Sequence, residues 1–303
     1  MKNTVAICIV LLMLSVCHAQ EKHYTYSDFI YNQVEFAEIT FSLEKKTGDT
    51  LRIEGLLNAK AIINEIPCKG KIMLTKEGRI KKFNLAEAHN FAGNTFPPGT
   101  YIVMDIDLDC RSDVNSLRYY TTIRGALNQV INLCIFPSTQ TIYGISCNGE
   151  EGVFFRTDWS LLGCILAEND TIKENVLPKG TFIRFDNEGR IGCFCLTDTE
   201  IQGYLCSGTD YTHWAYSGGG GIYLYRSGRL KYFQPVDDIE IQGVWCKPSS
   251  VRGEISLYEN GKLKECTSAR DQTIDGVFCE ENFTLKFDDN GNITYAKKEK
   301  IFD

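Results

Sequence analysis

Histidine is scarce in this chain, with four residues among 303. His18 lies in the N-terminal apolar segment, and His23, His89 and His213 stand far apart. No Gly-x-Ser-x-Gly elbow and no His-Glu-x-x-His motif occurs, so the local signatures of serine hydrolases and zinc proteases are missing. Cysteine is plentiful at 13 residues. Yet none forms a Cys-x-x-Cys pair or has a histidine at zinc-ligand spacing, which leaves no metal site or cofactor to expect. Positive charge is in deficit too, at a formal net charge of −7. An acidic balance argues against a nucleic-acid partner.

Long apolar runs are also lacking. The longest, Val5 to Val16, is too short to span a bilayer, so no membrane span is expected. Preceded by Lys2 and followed by Cys17-His18-Ala19, it reads as a signal peptide over residues 1–19, with cleavage after Ala19. The expected location is therefore outside the cytoplasm: periplasmic, cell-surface or secreted. Lipid anchoring at Cys17 is the lesser alternative, since Val16 stands where Gly or Ala is usual. Export would place the remaining cysteines in an oxidising compartment.

What is present is a cadence. An apolar residue, then Gly or Glu two positions on, then Cys or a large apolar residue three further, begins at Ile63, Phe91, Ile142, Ile172, Ile201, Ile241 and Ile274. The intervals are 28, 51, 30, 29, 40 and 33 residues. A period near 30 marks an array of supersecondary units, each too small to bury its own apolar face. Short β-branched and aromatic runs bounded by Gly and Asp read as about three strands per unit. Turns are expected at Glu77-Gly78, Glu188-Gly189, Ser227-Gly228, Asn260-Gly261 and Asn290-Gly291, with Asn-Gly suiting a two-residue turn whose central positions both need positive φ. Trp159-Ser160 occupies that place in the third unit. Pro97-Pro98-Gly99-Thr100 and Pro178-Lys179-Gly180-Thr181 mark entry turns.

Eight residues before each later lead residue stands Phe83, Cys134, Cys164, Cys193, Phe233 or Cys266. A position that is always Cys or Phe fits a ladder of equivalent inward-facing sites. The expected fold class is all-β: an elongated tandem-repeat array, β-solenoid-like, with an open antiparallel meander of hairpins as the alternative. Residues 20–50 are less regular and read as an N-terminal cap with a short helix at Ser27 to Phe36. The array of about seven units then fills 51–303, with insertions near 97–120 and 207–220.

The pattern of a first strand, Asn/Glu-Gly-Arg/Lys-Leu/Ile, a Cys-containing strand and Asp-x-x-Ile-x-Gly-x-x-Cys resembles repeats of uncharacterised exported bacterial proteins. Its Gly-bearing hairpins also look like MORN-type repeats. The resemblance covers roughly residues 55 to 296 and implies a repeat architecture, with no catalytic residues to transfer.

Candidate chemistry sits in three places. Cys134 and Cys147, Cys193 and Cys206, and Cys266 and Cys279 are each 13 apart, open to structural disulfides, buried thiol ladders or redox exchange; the repeat itself forces that spacing. The second insertion carries Tyr211, His213, Trp214 and Tyr216 before a glycine run. Such aromatics suit a sugar ring or a protein interface, or fold back as cover. The first carries Asp105, Asp107, Asp109 and Asp113, which fail the calcium-loop template at Cys110 and Ser116 and read as facing water.

Two functions follow as expectations. One is a non-enzymatic exported repeat protein with a structural or binding role at the cell envelope and a protein or glycan partner. The other is a polysaccharide-acting lyase or glycosidase working along a groove.

Overall fold

The structure is a computed structural model that describes residues 21–44, 50–106, 131–208, 221–248 and 255–298. Among these residues the fold is all-β, with no α-helix and one 3-10 turn at Gly149–Glu151. The chain divides into two units, residues 1–105 and 106–303.

In the first unit lie β1 (Glu21–Tyr31), β2 (Val34–Glu44), β3 (Thr50–Leu57), β4 (Ala61–Ile63) and β5 (Ile66–Leu74). They are followed by β6 (Ile80–Leu85), β7 (His89–Phe91), β8 (Asn94–Phe96) and β9 (Tyr101–Ile106). The sheet runs β1-β2-β3-β5-β6-β9, antiparallel throughout. The expected helix at Ser27 to Phe36 is overturned: these residues belong to β1, β2 and the turn between them. Asn32 and Gln33 take φ of 47° and 66°, which folds the chain into a tight hairpin whose apolar residues alternate at the strand period.

The second unit repeats one plan. Main-sheet strands alternate with small hairpins: β10 (Ile131–Ile135), hairpin β11 (Gln140–Ile142) and β12 (Ile145–Cys147), then β13 (Val153–Arg156) and β14 (Leu161–Ile165). The next cycle is hairpin β15 (Asp170–Ile172) and β16 (Asn175–Leu177), then β17 (Phe182–Phe185) and β18 (Ile191–Phe194). It continues with β19 (Thr199–Ile201), β20 (Tyr204–Cys206), β21 (Ile222–Leu224) and β22 (Leu230–Phe233). After these come β23 (Ile239–Ile241), β24 (Val244–Cys246), β25 (Ile255–Leu257) and β26 (Leu263–Thr267). The last are β27 (Gln272–Ile274), β28 (Val277–Cys279), β29 (Phe283–Phe287) and β30 (Ile293–Lys298). The main sheet is β10-β13-β14-β17-β18-β21-β22-β25-β26-β29-β30, every pair antiparallel. Of the two packings open to the sequence, the chain takes the meander.

Turn chemistry explains that choice and corrects the strand count. The Ile-x-Gly cadence is itself a two-residue turn. Its two central residues are both left-handed, as at Tyr143-Gly144 (50°, 81°), Gln202-Gly203 (53°, 84°) and Gln242-Gly243 (54°, 83°). That geometry splits the expected third strand into a hairpin, giving four strands per unit. The Asn-Gly turns are of another type: Gly261 has φ of 84° while Asn260 is not left-handed. The Gly261 N–H donates to the Tyr258 carbonyl and the Tyr258 N–H to that of Lys262. This is a three-residue loop ending in a left-handed glycine, and the strand register shifts beside it.

The core lies between the main sheet and the hairpin row. Cys134, Cys164, Cys193 and Phe233 of the sheet and Cys147, Leu177, Cys206 and Cys246 of the hairpins are fully buried. The Tyr204 ring of a hairpin sits 5.1 Å from that of Phe233 in the sheet. Both Pro–Gly–Thr entry turns form as expected, with the Thr100 and Thr181 hydroxyls donating to the Pro97 and Pro178 carbonyls at 2.7 Å.

Candidate functional site

Side-chain clips hold hairpins to the sheet turns. The Gln242 amide donates to the Gly261 carbonyl at 3.0 Å and accepts from the Leu263 N–H at 3.1 Å. Gln202 makes the same pair to Gly228 and Leu230, and Asn64 accepts from the Ile80 N–H. The acidic residue ahead of the cadence has a structural task as well. Asp198 and Asp271 accept from the Gly208 and Glu281 N–H groups, at 2.8 Å each, and so close the base of their hairpins.

Between these clipped elements, in the second unit, lies a groove of about 800 Å³, within the range of ligand sites. Its floor is apolar: Ile145, Leu161, Ile172 and Ile191. Its rim is polar and comes from the β11–β12 tip (Tyr143), the β13–β14 turn (Asp158, Ser160), the β15–β16 tip (Lys173), the β17–β18 turn (Asp186, Glu188) and Arg226. Arg156 ties two of these walls together. It donates to the Phe185 carbonyl at 2.8 Å, the Leu161 carbonyl at 3.0 Å and Asn187 Oδ1 at 3.4 Å.

The rim carboxylates are already engaged. Asp158 accepts from the Ser160 hydroxyl at 2.6 Å and its N–H at 2.9 Å, which holds its carboxyl below the ordinary range. Burial pushes Asp186 up, but the Arg190 guanidinium and the N–H groups of Arg190 and Glu188 outweigh it, so this carboxyl also stays low. Glu188 pairs with Arg190 at 2.8 Å. Lys173 and Arg226, by contrast, are exposed and make no ion pair among the described residues. Trp159 adds a local anomaly. It holds φ of 65° where the equivalent turns place Gly189, Gly228, Gly261 and Gly291. A bulky residue in left-handed backbone is strained, and strain of this kind concentrates at working sites.

The thiols are not poised for chemistry. Burial pushes Cys68 and Cys206 up to about 12 and Cys134 and Cys193 well above their ordinary value. A thiol that does not ionise is a poor nucleophile. Among the described residues no three His, Cys, Asp or Glu side chains converge on a metal position, and the ten described cysteines, of 13 in the chain, are free and buried.

Tyr211, His213, Trp214 and Tyr216 lie outside the described residues, as do the leader, Asp107, Asp109 and Asp113. His23 bonds Ser42 on β2, and His89 packs on Phe91, both in the first unit. The groove residues escaped the sequence reading because they come from several units. The one signal available was the turn that lacks its glycine at Trp159. No family model matches this chain, and no curated protein or solved structure matches it either.

Proposed function

We propose that this chain is an exported, non-enzymatic repeat protein that binds an acidic glycan at the cell envelope through the groove of the second unit. The observation that carries the reading is the inequality of charge there: the carboxylates are internally satisfied while Lys173 and Arg226 remain available above an apolar floor. Apolar sugar faces suit such a floor, and an anionic substituent suits the two cations. Tyr143, which is exposed, adds an aromatic face and a hydroxyl at the rim. Tyr211, His213, Trp214 and Tyr216 of the second insertion are proposed as further ligand contacts.

The competing reading is a glycosidase or lyase using Asp158, Asp186 and Glu188. Glycosidases require one carboxyl raised to act as acid, whereas Asp158 and Asp186 are both lowered. Binding is therefore the better supported function. The test is an array of acidic and neutral glycans probed with the wild-type chain and with the Lys173→Glu/Arg226→Glu pair. Retention of acidic glycans only, lost in the charge-reversed pair at unchanged melting temperature, supports the reading. Equal retention by both proteins contradicts it.

A further inference from the structure

Cysteines of the ladder meet across repeat junctions. Cys147 of β12 and Cys164 of β14 approach to 2.6 Å between sulfurs, about 0.5 Å beyond a disulfide bond. Backbone pairing sets this up: Cys147 bridges Leu166, two residues past Cys164. The same relation recurs where Cys246 of β24 bridges Ser268, two residues past Cys266 of β26, so the same register sets Cys246 against Cys266. At the intervening junction Cys206 bridges Pro235, two residues past Phe233, so its mate is a ring. At these three bridged junctions a hairpin Cys faces the next unit's sheet residue, and only two of them bring Cys to Cys.

We propose that Cys147–Cys164 and Cys246–Cys266 are cross-repeat disulfides that staple each hairpin to the following unit. Cys134–Cys147 and Cys266–Cys279 are then not bonded pairs, since each shares a cysteine with a staple. The oxidant is a small or protein-borne disulfide of the oxidising compartment. One cysteine thiolate attacks it to give a mixed disulfide and releases one oxidant thiol. The partner thiolate then displaces the second oxidant thiol, so two protons leave the protein and the oxidant is reduced to two thiols. Because all four sulfurs are buried, exchange occurs before the hairpin closes on the sheet. The first staple also joins the hairpin bearing Tyr143 to the strand bearing Leu161, two lining elements of the groove.

The test uses the full chain, refolded from its reduced form in a mixture of reduced and oxidised glutathione, or taken directly from an oxidising expression compartment. Free thiols are alkylated under denaturing, non-reducing conditions, and tryptic peptides are mapped by mass spectrometry. Cleavage at Arg156 and Lys262 separates the partners. The expected result is two linked peptide pairs, Cys147 with Cys164 and Cys246 with Cys266, with the other thiols alkylated. Cys164→Ser should free Cys147 for alkylation and leave the Cys246–Cys266 link in place. A folded chain lacking either link, a bond from Cys134 to Cys147, or a Cys147 that stays bonded in Cys164→Ser overturns the proposal.

Discussion

The side-chain amide of Gln202 brackets Leu230: its oxygen accepts from the Leu230 N–H at 3.2 Å, and its nitrogen donates to the Gly228 carbonyl at 2.9 Å. One residue in a hairpin turn thus satisfies both polar groups of a neighbouring sheet turn. Gln202→Ala leaves the Leu230 N–H without its acceptor and should cost about 1–2 kcal/mol. Gln242→Ala should cost a similar amount, since it clips Gly261 and Leu263 in the same way. Urea unfolding of each variant measures it.

Two glycines separate backbone strain from steric conflict. Gly243 has φ of 83° with nothing within 4 Å of an added Cβ. Gly243→Ala should therefore cost only the left-handed penalty, about 1–2 kcal/mol. At Gly228, φ is 92° and an added Cβ would stand 2.6 Å from Lys173 Cβ and 2.7 Å from its carbonyl oxygen. Gly228→Ala should lower the melting temperature clearly more than Gly243→Ala, and equal losses would refute the close approach.

The insertion aromatics and the ladder should respond in opposite ways. Ile241 is 2% exposed, so Ile241→Ala should cost on the order of 2–5 kcal/mol. Replacing Tyr211, Trp214 and Tyr216 together by Ala should cost about 0.5 kcal/mol or less, since these residues interrupt the period. Thermal melts compare the two. A triple variant as unstable as Ile241→Ala would make those aromatics part of a core.

The period, the buried Cys/Phe positions and the Pro–Gly–Thr turns were legible in the sequence because each reflects a local rule repeated at equivalent sites. The hairpin inside the cadence was not. The glycine of Ile-x-Gly was read as spacing, while the residue before it, such as Tyr143 or Gln202, gives no sign that it too takes positive φ. The helix expected at Ser27 to Phe36 failed for a related reason, since Asn32-Gln33 is an unmarked turn without glycine. Cross-repeat cysteine neighbours such as Cys147 and Cys164 were not legible, because spacing within a unit cannot reveal that a hairpin packs on the next unit's strand. The groove was hidden because Tyr143, Lys173 and Arg226 converge only after the meander is built.

Stability should fall at both ends of the pH scale. Asp186 and Asp288 have carboxyls held below their ordinary value of 3.8. For Asp186, burial is outweighed by Arg190 and two backbone N–H groups; for Asp288, Asn292 and backbone N–H groups lower it. A depressed folded value gives stability that is present above 3.8 and lost as pH drops through the folded value. Cys68 and Cys206 act in the opposite sense. Burial raises them from 9.0 to about 12, so in the reduced protein their contribution is intact below pH 9.0 and is lost as pH climbs toward about 12. Melting temperatures across pH should show both limbs, and Asp186→Asn should flatten the acid one.

Binding without turnover at the Lys173–Arg226 groove is the centre of this account. The most direct measurement incubates the wild-type chain with a panel of acidic glycans and reads bound ligand and new reducing or unsaturated ends in the same samples. The account predicts saturable binding of at least one acidic glycan, weakened about tenfold or more by Lys173→Glu/Arg226→Glu, with no new ends. Cleavage of any glycan by the wild-type chain, abolished in Asp158→Asn or Asp186→Asn, would contradict it and make the groove an active site.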